Sequence, residues 1–414
     1  MINYFYDCYS VLNKVYSEKA FIKQALSDTM VEPKNRAAVT KTCYGVLDKD
    51  IELSYYIEQL CEKNPKLAIR TILKIGMYAI KYLEKKAYAV TKNLVELTKK
   101  LGKAGASGFV NAFLRKFIST SIALPNDEFM KLSVLYSYPL FALKELIKDY
   151  GLERAKKIIC SKNEKTCLAF YGVSGEQYLS EKNISFNKTP FDNVFLLNNF
   201  TRDCGYEDGT YTYQALGSVA ICDCIMPCDN LLDCCAAPGG KSVRLSFRCK
   251  NIVATDIYPH RVELINAYIK RMKRNNVVAK QADAKVFDIK FNELFDAVLV
   301  DAPCSGLGVV NDNPDIKLNR TAESIKELNN QQSEILKNVC KYVKKSGYLY
   351  YSTCSVLKSE NIHIVEKFLK EHKDFVIENA TSPLECENES GTLEFLPDIS
   401  GGLGFYFAKL KKIG

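Results

Sequence analysis

The 414-residue sequence lacks the features that mark fibrous, disordered or membrane-spanning chains. It contains no low-complexity tract, and no apolar run reaches the length of about 18 residues that a membrane-spanning helix needs. Its first segment, MINYFYDCYS, has no basic stretch followed by an apolar one, so it does not resemble a secretion signal. We therefore expect a globular protein that acts in the cytoplasm, with no membrane partner.

Motifs for metal and phosphate binding are also missing. Five cysteines fall close together, yet no Cys-x-x-Cys pair occurs, and the three histidines do not pair with cysteines. No G-x-G-x-x-G motif and no P-loop spacing is present. We therefore expect no metal, and a ligand other than a dinucleotide or a nucleoside triphosphate. The alternative is a zinc site at the five clustered cysteines: Cys222, Cys224, Cys228, Cys234 and Cys235.

Basic residues are in excess, and they are unevenly placed. The chain carries 57 Lys and Arg against 48 Asp and Glu, a net charge of +9. Residues 81–120 hold nine basic residues against two acidic ones, and residues 241–280 hold ten against two. Two such patches suit a polyanionic partner such as nucleic acid, although either one alone could equally be a solvated helix face.

The amino-terminal part, residues 1–125, has the periodicity of an all-α domain. In NPKLAIRTILKIGMYAIKYL, apolar residues recur at intervals of three and four, which predicts an amphipathic helix with Asn64 as its cap and Pro65 at its first position. A further helix is predicted over SGFVNAFLRKFI, with Ser107 as a possible cap. The helical pattern breaks at TSIALPND, residues 120–127.

Two more parts are predicted beyond that break. Residues 126–212 have a mixed pattern of short helices, strands and loops and form a connecting region. Residues 213–414 alternate between short apolar strands, turns and helices, which predicts an α/β domain with a parallel sheet covered by helices on both faces.

Four of the predicted strands end in an aspartate. Ligands bind at the carboxyl ends of the strands in such sheets, and the first strand is followed by CAAPGGKS, where Gly239 and Gly240 permit close backbone approach. Asp256 follows Asp233 at close to the spacing of about 20 residues at which an acid meets ribose hydroxyls. S-adenosylmethionine, a nucleoside without phosphates, fits this pattern. Its ribose would meet Asp256 and its adenine would lie near Asp283, although Asp283 could instead be a helix cap. The four aspartates are Asp233, Asp256, Asp283 and Asp301.

Two cysteines follow the fourth and fifth predicted strands, Cys304 in DAPCSG and Cys354 in YSTCSV. Carbon 5 of cytosine is a poor nucleophile until a thiolate adds to carbon 6, and a carboxylic acid at ring nitrogen 3 would relieve the resulting charge. Asp301 is placed for that task. A second thiol can assist the later elimination, so two cysteines would have two tasks, and the residues alone do not say which one attacks. The alternative is that each is a small buried hydrophobe.

Three motifs in combination resemble those of the RNA cytosine-5 methyltransferases of the NOL1/NOP2/Sun type: LLDCCAAPGGKS, DAPCSGLGV followed by PDIK, and YSTCS. The amino-terminal helices, with SGFVNAFLRK, resemble a NusB-like RNA-binding domain. The combination of the two resemblances implies an all-α NusB-like domain followed in the chain by a Rossmann-like class I S-adenosylmethionine-dependent methyltransferase domain. It further implies a monomer that methylates cytosine in 16S ribosomal RNA before the small subunit is fully assembled.

The resemblance also implies a role for individual residues. Cys354 would be the nucleophile, Cys304 would assist product release, and Asp301 would reach the cytosine as well as the methyl donor. The implied contacts to S-adenosylmethionine come from Cys235, Ala236, Ala237, Pro238, Gly239, Gly240, Lys241, Asp256, Asp283 and Asp301.

Three stretches depart from the pattern of that family: Leu168–Gly172, Gln214–Ser218 and Asn311–Asn313. We expect all three on an RNA-facing surface, where they would affect the choice of RNA more than the reaction. Two alternatives stay open. One is the same chemistry on transfer RNA or on another ribosomal site, and the other is a non-catalytic RNA-binding factor for ribosome assembly.

Overall fold

The computed structural model of the protein describes residues 2–163, 165–198 and 200–414. These residues form both long helices and two β-sheets. The α-helices are α1 (Ile2–Glu18), α2 (Ile22–Ser27), α3 (Arg36–Asp48), α4 (Asp50–Leu60), α5 (Leu67–Lys81), α6 (Ala87–Lys100), α7 (Ser107–Ser119), α8 (Glu128–Tyr136), α9 (Leu140–Tyr150), α10 (Leu152–Cys160), α11 (Gly175–Glu181), α12 (Cys204–Glu207), α13 (Leu216–Cys224), α14 (Gly240–Leu245), α15 (Pro259–Arg271), α16 (Ile316–Asn319), α17 (Ala322–Val339) and α18 (Ile362–Glu371).

The strands are β1 (Thr166–Phe170), β2 (Phe186–Lys188), β3 (Val194–Leu197), β4 (Tyr211–Tyr213), β5 (Asn230–Cys234), β6 (Asn251–Asp256), β7 (Val277–Gln281), β8 (Phe295–Asp301), β9 (Val343–Thr353), β10 (Phe375–Ile377), β11 (Glu387–Glu389), β12 (Thr392–Phe395) and β13 (Phe405–Lys412).

The chain divides into two compact units. The first holds the residues through Ala155 together with Val310–Arg320, and the second holds Lys156–Val309 and Thr321–Gly414. Helices α8 and α9 therefore belong to the helical unit, and so does a short segment between β8 and α17. No helix in the described ranges has both the length and the apolar character that crossing a bilayer requires.

Helix α5 lies at the centre of the helical unit. Its predicted inner face is confirmed, because Ile69, Ile72 and Leu73 are buried in the core of this unit. The predicted start at Asn64 and Pro65 is wrong: the helix begins two residues after Pro65, and Lys66 precedes its first turn. The Ser107 prediction is also wrong, because Ser107 is the first residue of α7 and its hydroxyl donates to the Ala104 carbonyl.

The smaller sheet of the second unit is antiparallel, with the strand order β2-β3-β1-β4. Its core holds Leu168 and Phe170 from β1. This corrects the expectation that Leu168–Gly172 faces RNA for its first three residues, which are buried, whereas Tyr171 is half-buried and Gly172 is exposed. Gln214 is buried as well, and its amide accepts from the Tyr171 hydroxyl at 3.3 Å, so the second departure also lies partly inside the unit.

The larger sheet has the strand order β11-β12-β13-β9-β8-β5-β6-β7, and β10 also pairs with β13. Strands β5 to β9 are parallel, as predicted, and the order reverses between β5 and β8. Strand β13 runs antiparallel to β9, so the sheet is mixed where a parallel one was expected. The reversal point is where open α/β sheets bind ligands, at the carboxyl ends of the strands.

Both faces of this sheet are buried. Along β8, Ala297 and Leu299 enter one apolar cluster, and Val298 and Val300 enter the other. This alternation follows from the pleat, which sends successive side chains to opposite faces. The four central residues of β8, Ala297–Val300, are all apolar, and its two aspartates lie near its ends, Asp296 near the amino end and Asp301 at the carboxyl end.

Candidate active site

The two motif cysteines meet at the carboxyl edge of the larger sheet. The Sγ atoms of Cys304 and Cys354 lie 3.3 Å apart, although the residues are 50 positions apart in sequence. Strands β8 and β9 are parallel neighbours, with Asp301 paired to Ser352, so the loops that follow them emerge side by side. The two sulfurs therefore face one another, as a shared reaction centre requires.

Lys241 and Asp301 form an ion pair beside these thiols. Lys241, the second residue of α14, places its Nζ 2.7 Å from Asp301 Oδ2. The Ser352 hydroxyl donates to Asp301 Oδ1 at 3.0 Å. Burial by itself lowers the pKa of Lys241, but the adjacent carboxylate outweighs it and raises the pKa above the ordinary lysine value. Lys241 is thus a fixed cation at the end of β8.

The environment separates the two thiols chemically. The hydrogen bond from the Cys304 thiol is the largest cause of the lowered pKa of Cys354. The charge of Lys241 also lowers this pKa, whereas burial and the charges of Asp301 and Glu360 oppose the shift. The pKa of Cys304 is raised well above the ordinary value by the same hydrogen bond, by burial and by the nearby Glu360 carboxylate. The thiolate is therefore favoured on Cys354, and Cys304 keeps its proton.

The sequence interpretation missed the residue that joins the two thiol loops. The buried side chain of Glu360 accepts hydrogen bonds from the hydroxyls of both Ser305 and Ser355. Each serine directly follows one of the two cysteines, in CSG and in CSV. The repeated Cys-Ser pair was a signal in the sequence, but the common partner of the serines is visible only in the structure.

The turn after β5 has the shape of a ligand cradle. Gly239 has a left-handed φ of 103°, which favours glycine, and a Cβ at this position would lie 3.3 Å from Ile265 Cγ2. Asp256 is buried, accepts from the Tyr258 backbone at 3.2 Å and faces Arg261 Nη1 at 3.3 Å. The turn and the acid lie on adjacent parallel strands, β5 and β6.

The side chain of Asp233 is buried and has a hydrogen-bond partner for only one of its two oxygens among the described residues. Its Oδ2 accepts from the Ser242 hydroxyl, whereas its fully buried Oδ1 has no hydrogen-bond partner among the described residues. Burial raises the pKa of Asp233 to about 7, and the charge of Asp301 adds to the shift. The buried carboxylates beside this glycine turn are hydrogen-bond acceptors, which suit the hydroxyls and the ammonium group of S-adenosylmethionine.

The remaining predicted residues lie around this turn or on its flank. Cys235 is close enough to Asp256, Asp301 and Asp233 for their charges to raise its pKa, although burial is the larger cause, and the result is about 12. The Ala236 N–H donates to the Thr255 carbonyl at 2.9 Å, which ties the turn to β6. The turn after β5 continues through Ala237 and Pro238 into α14. Asp283 follows β7, and its Oδ1 accepts from the Lys285 N–H at 2.9 Å within its own loop.

The cysteines considered for zinc occupy different surroundings. Cys222 is buried on α13 near the Lys241 carbonyl, Cys224 donates to the Thr381 carbonyl, and Cys228 lies 3.5 Å from Cys249. Within the described ranges, no three His, Cys, Asp or Glu side chains are grouped so that they could hold a metal ion.

The order of strands β7-β6-β5-β8-β9 with antiparallel β13, together with a glycine turn after β5, defines a Rossmann-like class I methyltransferase domain. The model of the family described as 16S rRNA methyltransferase RsmB/F matches residues 225–411, within this domain. The model of the NusB family matches residues 8–119, within the helical unit. Both matches agree with the resemblance found in the motifs.

Similar proteins extend over nearly the whole chain. A probable ribosomal RNA small subunit methyltransferase B from Bacillus subtilis is 29% identical, over 97% of this chain and 96% of the relative. A ribosomal RNA small subunit methyltransferase B from Photorhabdus laumondii is 27% identical, over 98% and 99%. Among solved structures, PH0851 matches with a TM-score of 0.86 at 21% identity, covering 100% of this chain and 99% of that one. NSun6 from Pyrococcus horikoshii, solved with SFG, matches with a TM-score of 0.60 at 19% identity, covering 68% and 100%. These two structures share the fold.

Proposed function

We propose that the protein transfers a methyl group from S-adenosylmethionine to carbon 5 of a cytosine in 16S ribosomal RNA, through a covalent adduct at carbon 6. The observation that carries this proposal is the 3.3 Å separation of the Cys304 and Cys354 sulfurs beside the Lys241–Asp301 pair. A purely structural role for the two thiols, one buried and one half-buried, would not need a cation and a carboxylate next to them.

Cys354 is the nucleophile in this proposal. Its lowered pKa favours the thiolate, which forms the S–C6 bond while the electrons of the 5,6 double bond move toward ring nitrogen 3. The Lys241–Asp301 pair lies beside this sulfur and holds a proton that can be shared with nitrogen 3. The charge of Lys241 favours the attacking thiolate, whereas the charge of Asp301 opposes it, and the shared proton stabilises the charge that develops on the ring.

Cys304 acts in the elimination. Once carbon 5 has been methylated, its proton must leave so that the 5,6 double bond can form again and the S–C6 bond can break. The Cys304 sulfur lies next to Cys354 and therefore next to the adduct. Its thiol gives its proton to the departing Cys354 sulfur as the S–C6 bond breaks, and the sulfur of Cys304 takes up the carbon 5 proton in exchange, so that both cysteines end as thiols. The raised pKa of Cys304 means that it does not compete as the attacking thiolate.

S-adenosylmethionine would be held by the turn from Cys235 to Lys241 and by Asp256, with Asp283 and Asp301 at the flanks. When bound, it supplies an electrophilic methyl group on a sulfonium. The chain provides hydrogen-bond acceptors for this cofactor. Asp256 would accept from the ribose hydroxyls. Asp233 was not among the predicted contact residues, but its unpartnered oxygen is a second acceptor.

Two observations support an RNA substrate: a groove on the helical unit, and the similarity to ribosomal RNA small subunit methyltransferases B. Helices α6 and α7 line a groove with Tyr88, Lys92, Lys99 and Arg115, and Tyr88 is 78% exposed. An exposed aromatic among cations suits unstacked bases and phosphates. The cytosine must leave its stack to reach both thiols, so a loop or single strand is the expected target. An unpaired cytosine is most accessible before the small subunit is fully assembled, so we propose that the protein acts at that stage. We further propose that it does so as a monomer in the cytoplasm.

Bisulfite sequencing tests the substrate. A strain that lacks the gene should lose one methylated cytosine in 16S ribosomal RNA, and the wild-type gene should restore it, whereas a Cys354→Ala gene should not. Loss of a mark in transfer RNA or in large-subunit RNA would overturn the 16S proposal. An unchanged map, together with no transfer from labelled S-adenosylmethionine to total RNA in vitro, would favour a non-catalytic assembly factor.

A further inference from the structure

The contacts around Glu360 give this residue a task that follows from the proposed function and deepens it. We propose that Glu360 is a positioning residue that clamps the Cys304 loop to the Cys354 loop, so that the two sulfurs can act on one pyrimidine. Glu360 does not itself contact the sulfurs through a described hydrogen bond; it acts through the serines that follow them.

Four donors converge on the buried Glu360 carboxylate. The Ser305 N–H donates to Oε1 at 2.7 Å, and the Ser305 hydroxyl donates to Oε2 at 2.5 Å. The Ser355 hydroxyl also donates to Oε2, and Gln332 Nε2 donates to Oε1 at 3.3 Å. Hydrogen bonds to a buried carboxylate are among the stronger ones in proteins, and removing the acceptor leaves its donors unsatisfied.

The two loops are built alike around this carboxylate. The Ser305 hydroxyl accepts from the Leu307 N–H at 3.3 Å, and the Ser355 hydroxyl accepts from the Leu357 N–H at 3.1 Å. The two serine hydroxyls lie 3.2 Å apart, and the sulfurs of the preceding cysteines lie 3.3 Å apart. Each loop thus repeats the same short turn, and Glu360 holds the two copies in register.

The position of Glu360 is itself fixed. Its backbone carbonyl accepts from the buried Tyr351 hydroxyl at 2.6 Å, and Tyr351 belongs to β9. Gln332 on α17 also donates to the Pro303 carbonyl at 2.9 Å, which ties the Cys304 loop to the same network. The carboxylate is therefore anchored to the sheet and is not free to follow either loop alone.

Thiol bridging measures this clamp without any RNA. Dibromobimane joins two nearby thiols, each thiolate displacing one bromide, and peptide mapping identifies the joined pair. The chain contains an internal control, because Cys228 and Cys249 lie 3.5 Å apart and have no described contact with Glu360. The variants are Glu360→Gln, Glu360→Ala and the double variant Ser305→Ala with Ser355→Ala. The matched control is Glu366→Gln, an exposed glutamate on α18.

We expect the Glu360 variants and the double serine variant to bridge Cys304 to Cys354 at least tenfold more slowly than wild type. Bridging of Cys228 to Cys249 should keep its wild-type rate in every variant. In methylation assays kcat should fall at least tenfold in Glu360→Gln, while KM for S-adenosylmethionine stays unchanged. Glu366→Gln should behave as wild type in all three measurements.

The inference is overturned if Glu360→Gln and the double serine variant, both folded by circular dichroism, bridge the catalytic pair at the wild-type rate. It is also overturned if slower bridging of Cys304 to Cys354 is matched by equal slowing of Cys228 to Cys249, since that indicates general loosening. In another outcome, the wild-type protein methylates no RNA, while the Glu360 and serine variants still bridge Cys304 to Cys354 more slowly than wild type does. That pair of results would support the clamp and contradict the proposed function. The two failures are therefore distinguishable.

Discussion

The ammonium of Lys241 lies 2.7 Å from the carboxylate of Asp301, and its charge lowers the pKa of the Cys354 thiol. Replacing Lys241 by methionine removes this charge and leaves Asp301 without its partner, and both changes disfavour a thiolate. The pKa of Cys354 should therefore rise. The measurement is the pH dependence of alkylation of Cys354 by iodoacetamide, followed by mass spectrometry.

The control for this prediction is Lys250→Met, since Lys250 is 75% exposed and pairs with Asp229 at the surface. It should leave the alkylation profile of Cys354 unchanged. A Lys241→Met profile that shifts to lower pH, or does not shift, would show that Lys241 is not the cation that stabilises the thiolate.

Gly308 is packed against the backbone of the Cys354 loop. Its N–H donates to the Cys354 carbonyl at 2.9 Å, and a Cβ on Gly308 would lie 2.2 Å from the Gly404 carbonyl oxygen. Gly308→Ala should push these segments apart, lower kcat at least tenfold and destabilise the fold by about 1–3 kcal/mol, a typical cost of overpacking. Urea unfolding and methylation rates measure both effects.

Gly105→Ala provides the comparison for that substitution, because nothing lies within 4 Å of a Cβ at Gly105. This variant should keep wild-type activity and stability. Equal effects of the two alanines would mean that the close approach at Gly308 has no special consequence for the Cys354 loop.

The raised pKa of Asp233 should make the free energy of unfolding depend on pH. In the unfolded chain this carboxyl ionises near 3.8, whereas in the folded protein its pKa is about 7. Between these values the folded state binds the extra proton, so the stabilising contribution is complete below pH 3.8 and is lost as the pH rises to about 7. The loss is at most about 4 kcal/mol, at 1.36 kcal/mol per pKa unit.

Asp233→Asn should remove this part of the dependence. The free energy of unfolding in urea, measured at pH 5 and pH 8, should decrease less with pH in the variant than in wild type. Asp229→Asn, at an aspartate whose side chain is 62% exposed, should retain the wild-type slope. An identical slope in all three proteins would contradict the raised pKa of Asp233.

The sequence predicted those parts of the site that follow from strand order. Cys304 and Cys354 each follow a parallel strand, and neighbouring parallel strands open their loops on the same edge, so their meeting was predictable. Glu360 was not, because its partners depend on how two irregular loops fold, and no periodicity encodes that. The same holds for Asp233, whose unpartnered oxygen depends on the packing around the end of β5.

Errors in the fold predictions have physical causes too. The helix start at Asn64 failed because capping preference is a weak local signal that the packing of α5 overrides. Leu168 was placed on an RNA-facing surface because a departure from a family pattern suggests specificity, but its side chain packs in the core of the smaller sheet. The antiparallel β13 was missed because alternation of strands and helices gives no direction for a final strand.

The central claim is that Cys354 and Cys304 have different tasks on one cytosine. It is tested most directly by incubating Cys304→Ala with RNA and S-adenosylmethionine and resolving the products on a denaturing gel. The account predicts a protein–RNA adduct that peptide mapping places on Cys354, and no adduct in the Cys304→Ala, Cys354→Ala double variant. A Cys304→Ala protein that turns over at the wild-type rate without an adduct, or an adduct that persists in the double variant, would contradict it.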